Sequence, residues 1–268
     1  LDTIAPGRAA LYEALDTALE RGGQLQQDRA VGQDSLFGEV AVADDPGTAY
    51  PEVAELESLE RLRGEKQALG LYLTGHPLDD RLDEITAVTD GRLRDQAPAQ
   101  GDPVVVAGLV ASLKEINNRR GERMAFVGLE DPTARVEVVV FADAYEGVRH
   151  WLREEDALAV VEGRAEPDEQ AGGYKVTADR ILTLDEARVE RARGLELAIP
   201  ARPAEDMQRL AGLLAEHPGR CPVQVHYRIP GRARARLRLP QPVRPDPELL
   251  DALQGLLGEE AVMLRFQA

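Results

Sequence analysis

The sequence predicts a multi-domain α+β chain: N-terminal helices and a linker, a five-stranded β-barrel, and a small C-terminal α+β domain. Two observations carry this. Apolar residues recur at helical spacing through the first hundred positions, alternate every second position from Asp102 to about Leu184, and then switch between the two periods to the end. At 268 residues the chain is also long enough for separate cores joined by a linker. The expected divisions are 1–100, 101–185 and 186–268.

Pro6 to Glu20 places Ala10, Leu11, Ala14, Leu15, Ala18 and Leu19 on one helical face, and Gly22-Gly23 is expected to end that helix. Residues 24 to 50 lack periodicity, contain several Gln and Asp with Pro46-Gly47, and read as a flexible segment. Val53 to Tyr72 carries Leu56, Leu59, Leu62, Leu69 and Leu71 among Glu and Arg, a second amphipathic helix ending near Gly70. Pro77 forces His76 out of helical geometry, so Thr74-Gly75-His76-Pro77 is a turn, and Leu78, Leu82 and Ile85 suggest a short third helix.

Strands are expected at Pro103 to Ile116, Arg123 to Leu129 and Arg135 to Phe141, with a turn at Asn117 to Gly121. A short helix at Asp143 to Leu152 follows, then strands at Ala157 to Arg164 and Tyr174 to Leu182. Three strands, a helix and two strands is the order of an OB-fold barrel, with the helix plugging its bottom. Such barrels bind single strands through basic loops and exposed rings on which bases stack. Lys114, Arg119, Arg120 and Arg123 surround the first hairpin and are the candidate nucleic-acid contacts, together with Phe126 and Tyr174 as stacking rings that could equally be core. Phe141 and Trp151, beside the helix, are expected in the core.

Asp185 to Arg193 reads as a charged helical connector. Beyond it lie a strand at Leu195 to Ile199, a helix at Ala204 to Glu216, a strand at Pro222 to Ile229, a helix at Pro247 to Leu257 and a strand at Ala261 to Phe266. Arg232 to Leu239 alternates without a break: Arg232, Arg234, Arg236 and Arg238 face one side and Ala233, Ala235, Leu237 and Leu239 the other. The arginine row could contact a protein, DNA or solvent, and like charges on a strand also discourage edge-to-edge aggregation.

Gly32-Gln33-Asp34-Ser35-Leu36-Phe37-Gly38 stands in a stretch with few apolar neighbours, so Leu36 and Phe37 need a partner to bury against. With EKQALGLYLTGHPLDD from Glu65 to Asp80, and the barrel pattern behind it, the layout resembles the C-terminal part of the bacterial DNA polymerase III alpha subunit, over essentially the whole chain. In that family Gln-x-x-Leu-Phe is the internal sliding-clamp-binding motif, which Gln33, Asp34, Ser35, Leu36 and Phe37 fill. The resemblance further implies contact of the OB-fold with single-stranded template and binding of the clamp-loader tau subunit by the C-terminal domain. It also implies that the catalytic domain, with its Mg2+, lies elsewhere in the polypeptide, so that this segment holds no cofactor and is inert by itself. The alternative is a free-standing OB-fold scaffold for single-stranded nucleic acid.

Composition bounds these readings. The net charge is −16, but residues 1–60 carry 13 acidic and 3 basic groups, whereas 186–268 carry 13 basic and 11 acidic. Any DNA contact must therefore be local. The single Cys221 excludes an intrachain disulfide. The lack of an initiator Met, a signal peptide or an apolar membrane-length run leads us to expect a cytoplasmic segment cut from a longer polypeptide. His76, His150, His217 and His226 show no metal-ligand spacing, and no paired-carboxylate strand, phosphate loop or nucleophile set is present.

Overall fold

The computed structural model describes residues 6–30, 50–169, 172–200, 203–229 and 233–266. The docking motif at Gln33 to Phe37 lies outside them. The chain divides into two compact units, Leu1–Pro77 and Leu78–Ala268.

In the first unit, α1 (Arg8–Ala30) continues through Gly22 and Gly23 instead of stopping there. A helical glycine costs about 1 kcal/mol relative to alanine, which is a bias and not a stop, and neither glycine takes the positive φ of a helix cap. The expected apolar face is mostly uncovered: Ala10 is buried, but Leu15 and Leu19 are 49% and 64% exposed. α2 (Ser58–Leu69) ends as expected at Gly70, whose φ of 77° suits glycine and whose N–H donates to Lys66 O at 2.9 Å.

Glu65 holds this unit together. It is 6% exposed on α2 and accepts from Arg8 Nη1 at 2.6 Å, Leu73 N at 2.7 Å, and Thr74 N and Oγ1 at 2.9 Å. One carboxylate thus ties α1, α2 and the LYLTGHP turn. Burial alone would raise its pKa, but Arg8 and the donors of Thr74 and Leu73 outweigh it and hold the group down to about 2. At the start of α1, Glu55 accepts from Arg8 N at 2.8 Å and Ala9 N at 3.1 Å, satisfying two of the helix's free amides. His76 packs edge-on against Tyr72, ring centroids 5.0 Å apart, as a turn residue.

In the second unit, α3 (Leu82–Val88) belongs with the barrel and not with the preceding helices, so the observed division falls earlier than residue 100. The reason is burial. Leu78, Ile85 and Val88 pack with Ala107, Leu109, Val160 and Leu182, and Leu93 enters the barrel core.

The barrel comprises β1 (Pro103–Asn117), β2 (Arg123–Glu130), β3 (Arg135–Val140), β4 (Leu158–Pro167) and β5 (Tyr174–Thr183), closed in the order β1-β2-β3-β5-β4. β1 is long because it serves two partners: Pro103 to Leu109 pair with β4 and Leu109 to Asn117 with β2, with an irregularity between Val110 and Ser112. Gly108 is required at the crossing, since a Cβ there would sit 2.7 Å from Glu130 O. Val106, Ala125, Val127, Leu129, Val138, Val140 and Val176 fill the interior. α4 (Ala142–Glu146) and the turns after it close one end with Tyr145 and Leu152, each 1% exposed. This helix is shorter than expected, and Phe141 is a correction: it is not core but stands at the N-cap of α4, 51% exposed. Trp151 packs partly buried against the barrel core, as expected.

α5 (Leu184–Arg191) starts with a capping box, Thr183 and Glu186 each accepting from the other's backbone. A second sheet follows, with β6 (Gly194–Pro200), β8 (Val223–Ile229), β9 (Ala233–Arg238) and β10 (Val262–Arg265) in the order β10-β6-β8-β9. The short β7 (Pro218–Cys221), not anticipated, only bridges to Val243. α6 (Ala204–Glu216) and α7 (Pro247–Leu257) pack Leu210, Leu214, Leu249 and Leu253 on Leu195, Leu197, Val223 and Val225 of one sheet face. No helix among the described residues is long and apolar enough to cross a membrane.

Candidate nucleic-acid interface

Strand parity creates the site. Ala125, Val127 and Leu129 point into the barrel, so Met124, Phe126 and Gly128 point out. The β1 register sets Lys114 opposite Phe126 and Ser112 opposite Gly128, and β3 brings Val139 and Glu137 to the same two positions. Lys175, next to the inward Val176 on β5, joins this outer face. The result is a groove of about 950 Å3 lined by Ser112, Lys114, Phe126, Gly128, Arg135 and Lys175 as its contact-capable floor. Gly128 is needed for the groove's form: a Cβ there would meet Arg135 Nη2 and Ser112 Oγ at 2.5 Å, and Arg135 donates to that hydroxyl across the bare backbone.

The groove combines three cations with one half-buried ring, the chemistry that holds phosphates and stacks a base. Its rim is acidic. Glu137, Glu166, Asp168 and Glu169 also line it, and Lys175 Nζ lies 3.7 Å from Glu166 Oε2.

Of the sequence candidates, Lys114 and Phe126 therefore share one surface. Arg119 and Arg120 stand exposed on the hairpin tip, where Asn118 Oδ1 accepts from Arg120 N at 2.8 Å and Glu122 N at 3.0 Å to shape the turn. Arg123 is exposed in the ladder pair next to the turn, opposite Asn117. Tyr174 is separate from the groove: it packs against the barrel core with Oη 3.4 Å from Leu93 O, and burial, with Asp131 and Asp90 nearby, pushes its pKa up to about 12. Arg135 and Lys175 were missed by sequence reasoning, and the signal for both was strand alternation: each is one step from a valine that must point inward.

Family matches follow the two folded regions. Residues 104–184 match the family described as OB-fold nucleic acid binding domain, and residues 209–258 match DNA polymerase III subunit alpha, C-terminal domain. DNA polymerase III subunit alpha of Vibrio cholerae is 37% identical over 272 residues, covering 99% of this chain and 23% of that protein. Those of Escherichia coli strain K12 and Pseudomonas fluorescens are 36% and 34% identical over 99% and 98% of this chain, again across 23% of their own length. The chain belongs to the DNA polymerase III alpha-subunit family. It corresponds to the C-terminal region, with an OB-fold, and spans about a quarter of the length of the curated relatives it matches.

Elsewhere in this alpha-subunit segment the fold gathers groups that spacing did not. His217, Asp246 and Glu248 bring ligand atoms within 4.8 Å of one another, the sole cluster of metal-holding kind among the described residues. Asp246 is already engaged there: Oδ1 accepts from Leu249 N at 3.0 Å as the cap of α7, and His217 Nδ1 lies 2.9 Å from it. At the barrel end, Tyr145 Oη and Arg153 Nη2 both donate to Glu115 Oε1, and these bonds hold the Glu115 carboxyl below its usual range. That contact ties the turn end of the hairpin to the plug. Burial raises the Cys221 thiol to about 11, which leaves it protonated and unreactive at neutral pH.

Proposed function

We propose that this segment tethers a replicative DNA polymerase to its substrate and its accessory proteins. The barrel groove with the hairpin contacts single-stranded template, Gln33 to Phe37 bind the sliding clamp, and residues 186–268 bind the clamp-loader tau subunit. The groove carries the reading: Phe126 offers a face to a base, while Lys114, Arg135 and Lys175 lie within reach of the adjoining phosphates. The family match supports the partners, and the acidic rim and acidic body make the DNA contact weak and salt-sensitive. In this reading Mg2+ and nucleotidyl transfer belong to a catalytic domain elsewhere in the polypeptide, so this chain alone incorporates no nucleotide.

Anisotropy of labelled oligothymidylate tests the groove. Stacking of one base is worth about 1–3 kcal/mol, so Phe126→Ala weakens binding by about 5- to 150-fold; unchanged affinity rejects the assignment. A pull-down on purified sliding clamp tests the tether: Leu36→Ala plus Phe37→Ala removes two side chains worth about 1.5–3 kcal/mol each and abolishes retention. A parent chain that the clamp does not retain refutes it.

A further inference from the structure

The open edge of the C-terminal sheet carries a second, differently built surface. β9 is a border strand, paired with β8 alone among the described residues. Register places Val225 opposite Leu237 and Tyr227 opposite Ala235, on the helix-covered face, and Gln224 and His226 opposite Arg238 and Arg236, on the open face. Leu239 N donates to Val223 O at 2.9 Å. In an antiparallel ladder bonded and non-bonded residues alternate, so the amides of Leu237 and Ala235 turn toward β8 and those of Arg236 and Arg238 turn outward. The unpaired backbone groups and the guanidinium groups therefore belong to the same residues.

Neither Arg236, Arg238 nor Arg228 beside them has a carboxylate within ion-pair distance among the described residues, in a chain of net charge −16. Leu237, on the other side of the strand, is 51% exposed. An edge of this kind rejects a second copy of itself, because pairing β9 with β9 sets arginine against arginine. It suits a strand of the opposite pattern. Alternate residues on a strand lie about 6.8 Å apart, so carboxylates at every second position of an added strand meet Arg236 and Arg238 while the intervening apolar residues cover Leu237 and Ala235. A nucleic-acid strand matches the charge, and its phosphates can accept from the outward amides, but its backbone has no donors for the outward carbonyls, and among the described residues the one aromatic ring on this open face is that of His226, 3.5 Å from Glu196.

We propose that the β9 edge is a docking site for an extended acidic segment of a partner protein, which adds as a fifth strand with its carboxylates on the open face. The inference does not depend on the clamp or clamp-loader assignments.

The probe is a short synthetic peptide in which glutamate alternates with valine, titrated against the full chain at low salt. Binding is expected, with slowed amide hydrogen exchange at Arg236 and Arg238 as the mark of main-chain pairing. Arg236→Glu plus Arg238→Glu weakens it at least tenfold, and the same variant gains binding to a lysine–valine peptide, which also demonstrates that it is folded. A glutamine–valine peptide binds at least tenfold more weakly than the glutamate form. The proposal is overturned by absence of peptide binding, by equal binding of the glutamine peptide, by undiminished binding to the variant, or by oligothymidylate giving the same exchange protection.

Discussion

Replacing Lys114, Arg135 and Lys175 together with glutamine should remove most of the salt dependence of single-strand binding. On a single strand, affinity falls with a logarithmic slope of about −0.7 per neutralised phosphate, so three contacts give about −2. Lys175 is already shared with Glu166 at 3.7 Å, which lowers its part and sets the groove's expected contribution between about −1.4 and −2. A slope of −2 corresponds to about 16-fold loss of affinity between 50 and 200 mM salt, and it is this span that the variant should flatten. The side chains lie on the barrel's outer face, so the core is untouched and the melting transition should hold. Anisotropy of labelled oligothymidylate across that salt range measures the slope. The hairpin pair Arg119→Ala plus Arg120→Ala is the comparison, expected to lower affinity and flatten the slope by a separate increment. If the groove variant keeps the parental slope while the hairpin variant loses it, the phosphates run over the hairpin and the groove assignment is wrong.

Acid should weaken the helical unit. Glu65 has its folded pKa depressed to about 2 from 4.5, so its contribution is fully present above 4.5 and is lost as pH falls through the interval down to 2. Circular dichroism of residues 1–77 against pH should show that loss, and Glu65→Gln should remove it while lowering stability at neutral pH; a transition unchanged in the variant refutes the role. Leu253→Ala, at a fully buried position of α7, should cost about 2–5 kcal/mol in urea unfolding while leaving oligothymidylate binding intact. Glu137→Gln plus Glu166→Gln removes two carboxylates from the groove rim and should tighten oligothymidylate binding several-fold at low salt; no change would mean that the strand does not pass the rim.

The elements most legible in the sequence are those whose ends carry their own signals. α7 runs from Pro247 to Leu257 because Asp246 caps it, Pro247 starts it and Gly258 follows it, and the same residues mark it in the sequence. The barrel strands were legible through alternation, since a closed barrel needs one apolar side on every strand. α1 was misjudged because two glycines weigh against a helix without forbidding it. Phe141 was misplaced because hydrophobicity says nothing about the side of a strand end from which a ring leaves, and here it leaves outward at the cap of α4. Half of the groove was hidden for a related reason. Lys114 and Phe126 meet through a hairpin register that the turn fixes, whereas alternation turns Arg135 and Lys175 outward but only the pairing of β2 with β3 and of β3 with β5 brings them beside that pair.

Charge placement explains how cationic surfaces can act on so acidic a chain. At 0.1 M ionic strength screening limits a charge's reach to about 10 Å, so an approaching ligand responds to the strip beneath it and not to the net −16. In the groove, carboxylates flank the cations, so a strand displaced by one position meets repulsion; the rim narrows the seat at the cost of affinity. At β9 no acid lies within ion-pair distance of Arg236 and Arg238 among the described residues, Glu196 on the same face being engaged by Arg265 and His226, and selectivity comes instead from the backbone, since only a polypeptide can satisfy the outward amides and carbonyls together. If both proposals hold, the two surfaces separate nucleic acid from protein by what accompanies the positive charge, an outward Phe126 ring in one and an unpaired strand edge in the other. Weak contacts of this sort persist when the ligand is already held close by another part of the same assembly, because effective concentration multiplies a modest affinity without any new contact.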